Sequence, residues 1–95
     1  MLYAAKCYWP GIDRTEFEQV ASARLAEPEA GSTIVYRGAL LFPEDELVLC
    51  LFEAASRAAV KEAAERARVP CERVIDSLWL PARERNAIRP QRRNS

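Results

Sequence analysis

Ninety-five residues make one small domain, which buries only about 60 to 70% of its extended surface on folding and has little room for a private active-site cavity. Hydrophobic residues make up 49% of the chain, yet no apolar run approaches the ~20 residues of a membrane span, so no membrane partner is expected. The formal net charge of zero hides an asymmetry: residues 83–95 hold five arginines and one glutamate, net +4, against nine basic and thirteen acidic side chains, net −4, over residues 1–82.

Residues 2–9, LYAAKCYW, form a short strand-like run that the dipeptide Pro10-Gly11 ends. The start, MLYAAKCYWPG, lacks the basic n-region, long apolar core and small-residue cleavage site of a signal peptide, so a cytoplasmic protein is expected. Asp13 with Glu16 three residues later is a capping-box pattern. The spacing of Phe17, Val20, Ala21 and Leu25 then predicts an amphipathic helix, closed by Pro28 and Gly31. Residues 32–42, STIVYRGALLF, read as a second strand in which Gly38 marks a bulge or a close approach. PEDE supplies four turn residues, and LVLCLFE, residues 47–53, returns as the third strand of a hairpin. Ser56 caps a second helix whose inward stripe is Val60, Ala63, Ala64 and Ala67; so much alanine predicts a helix lying close to its sheet. Pro70 closes it, and residues 73–80, RVIDSLWL, give a fourth strand before Pro81. A folded domain over residues 1–82 and a disordered Arg-rich tail over residues 83–95 are expected. No aromatic is interleaved among the tail's arginines to stack on bases, which argues against nucleic acid as a partner.

The order β-α-β-β-α-β is the ferredoxin-like split βαβ arrangement, an α+β fold. Right-handed crossovers place its four antiparallel strands in the order 4-1-3-2, with both helices on one face. The other face stays uncovered, although the strands are apolar on both parities: Leu47, Leu49 and Leu51 point one way, Val48, Cys50 and Phe52 the other. A second copy covers such a face most simply, so a homodimer packed sheet to sheet, a dimeric α+β barrel, is expected.

One charge stands on each apolar strand when the fourth is taken over residues 74–80: Lys6, Arg37, Glu53 and Asp76. Each either reaches water at a strand end and forms an ordinary ion pair, or lines a cavity in the dimer, as charges at functional sites do. Parity groups Lys6 with Tyr8, Arg37 with Thr33, Glu53 with the leucines and Asp76 with Leu78. Trp9, Trp79 and Phe52 wall such a cavity or are simply core. The chain has no histidine, which removes Ser-His-Asp and Cys-His catalysis and imidazole proton shuttles. Its three glycines stand too far apart for a phosphate loop. Three widely spaced cysteines without a Cys-x-x-Cys pair argue against a disulfide framework and suit a reducing compartment.

Residues 50–76, CLFEAASRAAVKEAAERARVPCERVID, resemble the signature of a family of small, mostly actinobacterial proteins whose best-described type is a nickel-binding protein. The family pattern is a Cys-x-aromatic-Glu-Ala strand end, an Ala-Val helix and a Pro-x-Asp/Glu-Arg-Ile/Val turn. YWPG at the end of the first strand fits its aromatic-Pro pattern, and the likeness spans residues 1–82. The resemblance implies a ferredoxin-like dimer that holds nickel or another divalent metal. Without histidine such a site needs thiolates and carboxylates, and Cys7, Cys50, Glu53 and Asp76 are its candidate ligands.

Two functional expectations follow. The first is a small dimeric binding protein for a ligand or a metal, with Lys6, Arg37, Glu53 and Trp79 as candidate ligand contacts. The second is a cofactor-independent enzyme of secondary metabolism, of the cyclase, isomerase or oxygenase type, acting on an apolar substrate. Tyr8, Tyr36, Arg37, Glu53 and Asp76 are then the candidate acid, base and anion clamp.

Overall fold

Strand β1 (Leu2–Tyr8) is the spine of the sheet: it runs antiparallel to β3 (Leu47–Glu53) on one side and to β4 (Cys71–Ser77) on the other. Strand β2 (Val35–Phe42) pairs with the outer edge of β3, giving the order β2-β3-β1-β4. This is the expected order 4-1-3-2 read from the opposite edge. The computed structural model describes residues 1–25 and 33–82; Pro28, Gly31 and the Arg-rich segment 83–95 lie outside them.

Helix α1 (Arg14–Val20) starts where the sequence places it, with the Asp13 carboxylate accepting from the Glu16 amide at 2.8 Å. It continues as a π-helical turn, Ala21–Leu25, and sends Phe17 and Leu25 into the core. Helix α2 (Arg57–Arg66) is capped by the Ser56 hydroxyl, which accepts from the Ala59 amide at 3.1 Å. Val60, Ala64 and Ala67 are buried beneath it, and its small side chains let it lie directly on β1 and β4. Val48 and Val60 are both fully buried, and each such side chain stabilises the fold by roughly 1.5–3 kcal/mol relative to exposure.

Alternation divides the sheet cleanly. Tyr3, Ala5 and Cys7 of β1 and Val48, Cys50 and Phe52 of β3 face the helices and are buried. Leu47, Leu49 and Leu51 point the other way and are only half-buried.

Two details depart from the sequence expectation. The second strand begins at Val35 rather than at residue 32. The fourth ends at Ser77 rather than at residue 80, because Ser77 is opposite Leu2, where β1 begins; Leu78, Trp79 and Leu80 have no neighbouring strand to pair with. Gly38 is a bulge, as its place in the strand suggests: the β2–β3 register shifts between Tyr36 and Gly38, and its φ of +121° is a conformation that side chains rarely adopt.

The β2–β3 connection has a pin that composition does not reveal. Pro43–Asp45 form a 3-10 turn, and Glu46 follows in the left-handed region with φ of 53°. The Glu46 carbonyl accepts from the Trp9 amide at 2.7 Å and its carboxylate from the Gly11 amide at 2.8 Å. One residue therefore fastens the turn after β2 to the turn after β1.

Candidate functional site

The open face of the sheet gathers three of the charged strand residues. Glu53 ends β3, between Leu2 of β1 and Val35 of β2. Arg37 is the extra residue of the β2 bulge, and its Nη2 donates to Glu53 Oε1 at 2.6 Å. Both side chains are about half exposed, so the carboxylate at the end of an apolar strand is neither buried nor alone. Lys6 lies further along β1, opposite Leu49, and its Nζ stands 3.7 Å from Glu72 Oε1. Between and around the two ion pairs are Leu2, Leu40, Leu47, Leu49, Leu51 and Ile75, a predominantly apolar surface that no helix among the described residues covers.

The remaining candidates are elsewhere. Asp76 is opposite Tyr3 and therefore on the helix face, where Arg57 Nη2 and Nε of α2 donate to its Oδ1 at 2.9 and 3.2 Å. Tyr36 also faces the helices, stacked at a tilt on Phe52 with ring centroids 5.6 Å apart. Burial pushes its hydroxyl up to about 12, with the nearby Cys50 adding to the shift, so it is a proton donor and no base at neutral pH. Tyr8 shares the open face with Glu53 but sits at the far end of β1, six residues or roughly 20 Å along the strand. The five candidate catalytic residues thus divide into Tyr8, Arg37 and Glu53 on one face and Tyr36 and Asp76 on the other. No acid–base pair forms among them within one chain. Trp79 follows β4 beyond the paired strands, and Trp9 packs edge-on against Phe17 with centroids 6.1 Å apart, as core.

The metal candidates divide in the same way. Cys7 and Cys50 do meet, as neighbouring strands allow, but in the buried layer under the helices. The Cys50 side chain, by hydrogen bonding, and then burial raise the Cys7 thiol far above its ordinary range. Cys71, opposite Cys7 on β4, is pushed up to about 11 by burial and by Cys7. Raised in this way, the Cys7 and Cys71 thiols are poor nucleophiles. Glu53 is on the opposite face and Asp76 is held by Arg57. Among the described residues no group of three or more cysteine and carboxylate side chains is placed to hold a metal ion, and the four candidate ligands Cys7, Cys50, Glu53 and Asp76 are not brought together.

Two open grooves lie on the helix side. One of about 790 Å³ runs between α2 and β4, with Arg57, Lys61, Val74 and Asp76 in its wall. Another of about 510 Å³ lies between α1 and β2, beside Phe17, Tyr36 and Leu41.

A four-stranded antiparallel sheet with two helices on one face defines a small ferredoxin-like α+β protein. The chain is similar to the crystal structure of SCO4226 from Streptomyces coelicolor A3(2), with a TM-score of 0.70 and 24% identity, over 86% of this chain and 100% of that one. That likeness shows the fold. No protein-family model matches the chain, and no curated protein does. No helix among the described residues is long and apolar enough to cross a membrane.

Proposed function

We propose that the chain acts as a homodimer, packed open face to open face, which holds a small apolar molecule between the two sheets. The observation that carries this reading is the leucine-rich open face with the Arg37–Glu53 pair at one end and the Lys6–Glu72 pair beside Leu49. The leucines supply the affinity, and Arg37 and Glu53 at one end, with Lys6 beside Leu49, supply the polar contacts that orient a ligand. Two small domains that cannot each enclose a cavity enclose one together. Binding is favoured over catalysis because the residues suited to proton transfer are divided between the two faces. The three free cysteines, none in a disulfide, fit a reducing cytoplasm as the working compartment.

Native mass spectrometry of the protein, purified gently without a metal column or chelator, tests this directly. The expected result is a dimer carrying an additional small organic mass, with both the dimer and that mass lost in Leu49→Lys. A dimer carrying a stoichiometric metal instead would move the reading to metal binding by residues of both copies. A bare monomer at micromolar concentration would overturn the sheet-to-sheet dimer.

A further inference from the structure

The chain leaves β4 as Leu78-Trp79-Leu80, three consecutive large apolar side chains that are 82%, 74% and 80% exposed. Scattered exposed leucines are normal on a protein surface, but a contiguous apolar tripeptide containing tryptophan is not. It has no place on its own sheet: Ser77 is the last residue with a partner in β1. The same molecule presents a second unpartnered apolar surface, the open face, where Tyr8, Val35, Leu40 and Phe42 are 56%, 44%, 53% and 38% exposed. The tripeptide and the open face are two separate surfaces, and a reciprocal contact between two copies uses both. Together they approach the ~800 Å² per partner of a standard interface.

Charge does not oppose a second copy as the occupant, and the area available to a reciprocal contact favours one. The full chain has a formal net charge of zero, so two copies carry no net repulsion. On the open face, Arg37 is matched by Glu53 and Lys6 by Glu72, and Arg73, opposite Lys6, adds a single positive charge. The 78–80 segment itself carries no charge.

From these observations we infer that residues 78–80 form an arm that each copy lays on the open sheet face of its partner, so that Trp79 of one chain helps to close the ligand space over the leucines of the other. The contact is reciprocal, as a two-fold dimer requires: arm on face and face on arm, closed without a free end. A tryptophan so placed supplies a large, rigid apolar wall and a single indole N–H for a polar group of the ligand. The inference rests on the face-to-face dimer proposed above and adds which segment completes it.

The test uses the full chain with fluorotryptophan incorporated at its two tryptophans, the resonances being assigned through Trp79→Phe. Fluorine spectra are recorded across a dilution series alongside sedimentation equilibrium. The expected result is that the Trp79 resonance shifts in step with the dimer fraction and is protected from a soluble quencher only in the dimer. The Trp9 resonance stays constant. Leu78→Ser combined with Leu80→Ser is expected to raise the dimer dissociation constant at least tenfold while the far-ultraviolet circular dichroism spectrum is unchanged. A dimer whose Trp79 stays fully accessible would overturn the arm and leave the dimer standing. Protection of Trp79 that is independent of concentration would show it folded onto its own chain, which also overturns the arm. A monomer throughout would overturn the dimer first.

Discussion

Glu53 shows how little a charge on an apolar strand reveals by itself. Its partner Arg37 is 2.6 Å away, yet both side chains are about half exposed, and an exposed pair contributes only ~0–1 kcal/mol to folding. Glu53→Gln is therefore expected to leave the urea midpoint of the isolated chain nearly unchanged; a loss above about 2 kcal/mol would mean that the pair is structurally required. If the proposed dimer holds a small organic molecule, the larger effect of Glu53→Gln is expected on its retention, read as loss of that mass in native mass spectrometry. The buried thiols behave differently. The fold keeps Cys71 neutral, moving it from 9.0 to about 11, and a raised folded-state value contributes stability that is complete below the unfolded-state value. That contribution is lost as pH rises through the window from 9.0 to about 11. Tyr36 acts with the same sign between 10.0 and about 12. Thermal melts from pH 8 upward should show a falling melting temperature, and Cys71→Ser should flatten the first part of the fall. Equal slopes in the two proteins would remove Cys71 as a cause.

Among the elements, β2 carries the clearest constraint. Gly38 has φ of +121°, and a Cβ built on it meets nothing within 4 Å, so Gly38→Ala tests backbone strain alone. A cost on the order of 1–3 kcal/mol is expected in chemical denaturation. Ser56→Ala should cost about 1 kcal/mol through loss of the α2 cap, read the same way. Both features are legible in the sequence, because a glycine inside a strand and a serine before an alanine-rich run have few other structural meanings. The strand order is legible too, since short connections and crossover handedness leave few alternatives. Which charges share a face is not. The bulge after Tyr36 reverses parity along β2, so Arg37 lies on the open face with Leu40 and Phe42, although regular alternation would separate them. A second irregularity between Lys6 and Cys7 offsets β4, and its register puts Asp76 opposite Tyr3, toward the helices. Register depends on paired backbones, and residue types along one strand do not encode it. The same limit explains the misplaced end of β4: RVIDSLWL has strand composition throughout, but only the length of β1 decides where pairing stops.

At the scale of the whole molecule, the described residues cover one face of the sheet and leave the other bare, and this asymmetry governs how stability should vary with concentration. The helices bury Tyr3, Ala5, Cys7, Val48, Cys50 and Phe52, while the leucines of the same two inner strands stay half-buried. If a second copy covers them, folding is linked to association. A partner present at a hundred times its dissociation constant then adds about 2.7 kcal/mol of stability, roughly 10 to 20 °C in melting temperature for a domain of this size. The wild-type melting temperature should accordingly rise with protein concentration. Leu49→Lys places a charge at the middle of the face, opposite Lys6, where in a monomer it reaches water and in a dimer it is buried without a partner. Its melting temperature should be independent of concentration and equal to that of highly diluted wild type. Because the substitution leaves the helix-side core untouched, a variant that fails to fold at any concentration would show that the leucine face supports the monomer itself, and a wild-type melting temperature that ignores concentration would show that the face needs no partner.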